Sequence, residues 1–143
     1  MTPETLDNLN RIVVSLDQSL AHYLSDAVPY VSDDAKFGWD VVQSISENQQ
    51  ELVDRVGSFI LQQGGGVSSG SYPIQWSALH DVSFEFLLPH LINNQNQLIN
   101  VLEGCVADNY SIQARSLAEE ALGQAKAHRD SLEELLEGSP TGD

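Results

Sequence analysis

The sequence predicts an all-α protein folded as an antiparallel bundle of four long helices. Three observations predict it. Apolar residues recur at alternating spacings of three and four over four long stretches, capping and breaking residues punctuate those stretches, and no strand-like alternation runs long enough to compete. The chain of 143 residues is long enough to bury a core without disulfides or a structural metal. Residues 1–137 are therefore expected to form one domain, and the polar tail 138–143 is expected to be disordered.

The first helix starts behind Thr2-Pro3-Glu4, which supplies a side-chain cap, a proline where no N–H is needed, and an acid at the positive end of the dipole. Its seam is Leu6, Leu9, Val13, Leu16, Leu20, Tyr23 and Ala27. Val28-Pro29 ends it, because a residue before proline is pushed out of the α region. Ser32-Asp33-Asp34 can cap a second helix with Trp39, Val42, Ile45 or Ser46, Gln49, Leu52, Val56 and Phe59 or Ile60 facing inward. Gly64-Gly65-Gly66 stops it near Gln63, and a Gly- and Ser-rich connection leads to Tyr72-Pro73.

A third helix is expected from about Ser77 to Ala107, with Leu79, Val82, Phe86, Leu87, Leu91, Asn94, Leu98, Val101 or Leu102, and Cys105 inside. Pro89 should kink it or split it in two. The turn Asp108-Asn109-Tyr110-Ser111 opens the fourth helix, whose seam is Ala114, Leu117, Ala121, Gln124 or Ala125, His128, Leu132 and Leu135. Helices of this size are each ~40 Å long at 1.5 Å per residue. The thirteen residues from Gly64 to Trp76 reach at most ~43 Å. A compact turn and a crossover between the second and third helices, running the whole bundle, both stay open.

Twenty-one acidic residues against six basic ones give a net charge of -15. Such a surface repels phosphate backbones and anionic headgroups, so neither nucleic acid nor membrane is expected as a partner. No stretch approaches the ~18 apolar residues of a membrane span, and no basic segment leads into an apolar run near Met1, so the expected location is cytoplasmic. The single cysteine, Cys105, excludes an internal disulfide and the paired cysteines of a zinc knuckle or redox motif. It lies on an apolar seam, there is no G-x-S-x-G elbow, and the glycine-rich stretch lacks the G-K-[ST] of a phosphate loop. Nucleophilic and nucleotide chemistry therefore find no motif.

The seams turn polar at mid-height, where Gln49, Asn94, and Gln124 with His128 fall at one level and the first helix supplies Leu16 and Leu20. A buried amide or imidazole left unpaired costs ~1–3 kcal/mol, so such a layer is hydrogen-bonded internally or built around water or a ligand. One reading is that it fixes helix register, as a buried asparagine does in coiled coils. The other is a site at mid-bundle, where facing helices build metal centres.

Several segments resemble the ferritin-like superfamily, in particular bacterioferritins and the starvation-induced miniferritins. Leu52-Val53-Asp54-Arg55-Val56 with Leu61-Gln62-Gln63-Gly64-Gly65 resembles the end of their second helix. Leu79-His80-Asp81-Val82 through Leu87-Leu88-Pro89-His90-Leu91 resembles the start of their third, and His128-Arg129-Asp130-Ser131-Leu132-Glu133-Glu134-Leu135 the end of their fourth. The resemblance implies a homo-oligomer and iron or another divalent metal as cofactor. It also implies carboxylates that this chain lacks. The first-helix position falls near Leu16, the second reads Glu47-Asn48-Gln49-Gln50 with glutamine for histidine, the third falls near Asn94, and Ala125 stands three residues before His128. Hard iron ions need several anionic oxygens, so ferroxidase activity is not expected. A remaining metal site would have to use Glu47, Glu51, Glu120 and His128. His22, His80 and His90 form no H-x-x-x-H pair, which counts against a three-histidine metal bundle. The competing expectation is a non-catalytic interaction or oligomerisation module whose polar layer only sets packing.

Overall fold

A computed structural model describes residues 1–27, 33–68, 72, 73, 76, 79, 83–108 and 111–137, with the side chains of 26, 27 and 34 left aside. The expected stop at Val28-Pro29, the cap residue Ser32, the start at Ser77, the residues His80, Val82, Asn109 and Tyr110, the side chain of Ala27 and the tail 138–143 lie outside the described residues.

The described residues are all-α. They form α1 (Pro3–Asp17), α2 (Leu20–Ala27), a 3-10 turn (Asp33–Ala35), α3 (Lys36–Gln62), α4 (Phe84–Asp108) and α5 (Ile112–Glu137). At the first cap, the Thr5 N–H donates to Thr2 Oγ1 at 3.2 Å with Pro3 in the first turn. At the end of α3, Gly64 has φ +82° while the Gly65 and Gly64 N–H groups donate to the Ile60 and Leu61 carbonyls, both at 3.0 Å. That pair of bonds closes the helix with a left-handed residue that glycine adopts without steric cost. Gly64→Ala is expected to lower stability by about 1 kcal/mol in urea unfolding, although nothing lies near its missing Cβ.

The expected single first helix is two. α1 ends at Asp17 and α2 begins at Leu20, although the apolar spacing continues through the break and no proline or glycine marks it. The inward face turns with it, from Leu9, Ile12, Val13 and Leu16 to Leu20, Ala21 and Leu24. Tyr23 is accordingly half-buried, its ring 4.9 Å from that of Tyr72 and 5.6 Å from that of Trp76.

The third expected helix begins later, at Phe84, with the Leu87 N–H bonded to the Ser83 carbonyl at 3.1 Å. Pro89 does not split it. The lost bond falls at the second turn, on a side where Glu85 and Pro89 are both exposed, and α4 runs unbroken to Asp108. Phe86, expected inside, is exposed, and Leu88 is buried in its stead. In α3 the expected seam holds throughout, from Trp39 to Ile60.

Two apolar clusters make the core. The first joins Leu9 to Leu16, Leu52 to Ile60, Leu98 to Cys105 and Ala114 to Ala125; the second joins Leu20 to Leu24, Trp39 to Ile45, Leu87 to Leu91, and Leu132. Read by helix, α1–α2 and α5 run from the first cluster to the second, while α3 and α4 run from the second to the first. The chain between α3 and α4 therefore has to travel from one cluster to the other. Its course is fastened to the first two helices: Asn10 Nδ2 donates to the Gly66 carbonyl at 2.9 Å, and Asn10 Oδ1 accepts the Ser68 N–H at 2.7 Å. Further on, Tyr72 and Trp76 rest on Tyr23. At the far end the Phe84 ring lies against Gly38, where a Cβ would come within 2.7 Å of Phe84 Cζ. Only a residue without a side chain lets the starts of α3 and α4 approach in this way.

Candidate functional site

Between the two apolar clusters lies a polar layer. Gln49, Gln95 and His128 are 0 %, 1 % and 7 % exposed, and Ser19 and Ser46 are buried beside them in the sequence order of the same helices. Each pair of flanking apolar residues belongs to opposite clusters: Leu16 and Leu20 around Ser19, Ile45 and Leu52 around Gln49, Leu91 and Leu98 around Gln95, Ala125 and Leu132 around His128.

The hydrogen bonds of this layer converge on the break in the first helix. In a continuous helix the Leu20 N–H would bond to the Leu16 carbonyl. Here it donates to Asn94 Oδ1 at 2.9 Å, a bond that ties α2 to α4. Ser19 Oγ accepts the His22 N–H at 3.1 Å, as an N-cap does, and donates to Gln49 Oε1 at 2.6 Å. Ser46 Oγ is 3.1 Å from His22 Nδ1, and the His22 Nε2 atom lies 3.9 Å from Asp17 Oδ1. Asn94 thus acts as a cap for α2 supplied from another helix.

On the α5 side, His128 Nε2 is 3.2 Å from Asn48 Nδ2, which makes Nε2 the acceptor and leaves the proton on Nδ1. Burial lowers the His128 pKa to about 4, so the ring is neutral at ordinary pH. Four buried atoms of the layer have no protein partner: Gln49 Nε2, both amide atoms of Gln95, and His128 Nδ1. The layer is neutral as well as polar.

Of the residues expected in it, Gln49 and His128 are there. Asn94 is half-buried and serves the break, and Gln124 is half-buried and takes no part in these bonds. Gln95, one position beyond Asn94, holds the inward place. Ser19 and Gln95 escaped the sequence reading. Ser19 ahead of Leu20-Ala21-His22 was the available signal, a serine able to cap a new turn.

The four candidate metal ligands do not come together. Glu47 and Glu51 are exposed, and Arg55 holds both Glu51, at 3.9 Å, and Glu120, in a close ion pair across α3 and α5. His128 is turned to Asn48 instead. Among the described residues no three His, Cys, Asp or Glu side chains are placed to hold one metal ion. Cys105 is fully buried in an apolar cluster, with Sγ 3.8 Å from the Asn8 carbonyl and burial raising its pKa, which keeps the thiol protonated. Asn8 Nδ2 donates to the Cys105 carbonyl at 2.8 Å, a second buried amide spent on joining helices.

Comparison with protein-family models, with curated proteins and with solved structures finds no match for the chain. No helix among the described residues is long and apolar enough to cross a membrane.

Proposed function

We propose that this chain is a non-catalytic helical interaction module, a four-helix bundle of ferritin-like course whose first helix is jointed at Ser19. The observation that carries this reading is the destination of the mid-bundle hydrogen bonds. Asn94 caps the Leu20 N–H and Gln49 receives the Ser19 hydroxyl, so two of the layer's amides are committed to the joint. A metal centre at this height would need anionic oxygens; the layer offers neutral amides and a neutral imidazole. The nearest carboxylates, Glu51 and Glu120, neutralise Arg55 on the surface. The opposed directions of the helices and the path from Gly66 past Tyr72 to Trp76 support the crossover course.

The layer then does what buried polar residues do in coiled coils. It lowers the attainable stability and in exchange rejects other registers, since sliding any helix by one turn would bury these amides against leucines. The test is metal content. After incubation with Fe(II), Mn(II) or Zn(II) and gel filtration, elemental analysis is expected to find far less than one ion per chain. A stoichiometric ion that disappears in His128→Ala and Glu47→Ala would overturn the proposal.

A further inference from the structure

We infer that the face made by α3 and α5 is a self-complementary interface for a second copy of this chain, related by a two-fold axis lying in the face and perpendicular to the helices. This inference rests on the module reading above and names its partner.

The face has an alternation that one chain leaves unused. Along the α3–α5 seam lie two hollows, one of ≈ 510 Å³ near Phe37 and Leu135 and one of ≈ 610 Å³ near Phe59 and Ile112. The Arg55–Glu120 ion pair bridges the seam. Beside each hollow stands an apolar side chain that the monomer exposes, Phe37 at 73 % and Ile112 at 87 %. The proposed axis reverses the helix direction of one copy. It brings the Phe37 end of each chain over the Ile112 hollow of the other, so each projection faces a hollow large enough for it. This is the isologous arrangement, with one patch used twice.

Charge points the same way. The chain carries 21 acidic and six basic residues, yet the only acidic or basic side chains lining the two hollows are Arg55 and Glu134, with serine, asparagine and glutamine filling the rest. Depletion of charge around aromatic and aliphatic anchors is the compositional mark of an interface core. A face free of charge is also what a chain of net charge -15 needs if two copies are to meet without strong repulsion. The area is adequate: two helices side by side present ~40 Å by ~20 Å, or ~800 Å² per copy, which is the standard size of a stable interface.

The test is the mass in solution of the full chain by light scattering on a sizing column, for the wild type and for Phe37→Glu, Ile112→Glu and Phe86→Glu. All three positions are exposed, so helicity by circular dichroism should be unchanged in each. The wild type and Phe86→Glu, whose residue lies on α4, are expected at twice the chain mass, and Phe37→Glu and Ile112→Glu at the chain mass. Mixed Phe37→Cys and Ile112→Cys chains treated with a short bismaleimide are expected to give the 37-to-112 cross-link in excess over 37-to-37. A monomeric wild type, a dimer indifferent to both glutamates, or a preference for the 37-to-37 product overturns the inference. None of these outcomes bears on metal content, on which the module reading stands or falls.

Discussion

Lowering the pH from 6.5 to 4 is expected to cost the folded protein about 3 kcal/mol through His128 alone. Its pKa is lowered to about 4 by burial from an ordinary value of 6.5. Between those two values the unfolded chain binds a proton that the folded chain does not, so stability falls as pH falls. The contribution is fully present above pH 6.5, is lost through the window, and changes no further below pH 4, where both states carry the proton. A separation of ~2.5 pKa units corresponds to about 3 kcal/mol. Carboxylates titrate in the same window, so the measurement is a difference. Urea unfolding of the wild type and of His128→Leu is compared from pH 7 to pH 4. Leucine removes the proton-binding group and leaves only the exposed Asn48 amide to find water. The wild type should lose stability relative to the variant throughout the window; parallel curves would place the imidazole in contact with solvent.

The second large effect is expected at Asn94. Its substitution by alanine removes the acceptor of the Leu20 N–H in a layer sealed by the two apolar clusters, and an unsatisfied donor there costs ~1–3 kcal/mol. Asn94→Asp should recover most of the loss. A carboxylate accepts the same bond, and it stands at the N-terminus of α2, where the helix dipole favours negative charge. Gln95→Leu provides the contrast. Both amide atoms of Gln95 are buried without a protein partner, so a leucine of similar volume should hold or raise stability. Two neighbouring amides on one helix are thus expected to respond with opposite signs.

That opposition also shows what the sequence could and could not convey. Both residues satisfy a spacing of three or four from Leu91 and Leu98, so periodicity alone does not choose between them. The choice is made by the break at Ser19, which needs an acceptor on the flank of α4 and takes the asparagine. The break itself was hidden because Leu16, Leu20 and Tyr23 continue the helical spacing and no proline or glycine interrupts it. In α3, by contrast, every expected inward position is at least half-buried, because one apolar stripe runs there from Trp39 to Ile60 without a competing signal. The polar layer was legible in Gln49 and His128, which no apolar seam explains. The engagement of Glu51 and Glu120 by Arg55 was not, since a pairing across 65 residues leaves no trace in local spacing.

The joint at Ser19 is tested most directly by amide hydrogen exchange of the Leu20 N–H, followed by NMR in the wild type and in Asn94→Ala. With its bond to Asn94 Oδ1, the Leu20 amide should be strongly protected in the wild type. In the variant it should lose most of that protection while the amides of Val13 and Leu24 keep theirs. If the Leu20 amide is equally protected in both proteins, its partner is the Leu16 carbonyl, the first helix is continuous, and the mid-bundle amides are there for some other purpose.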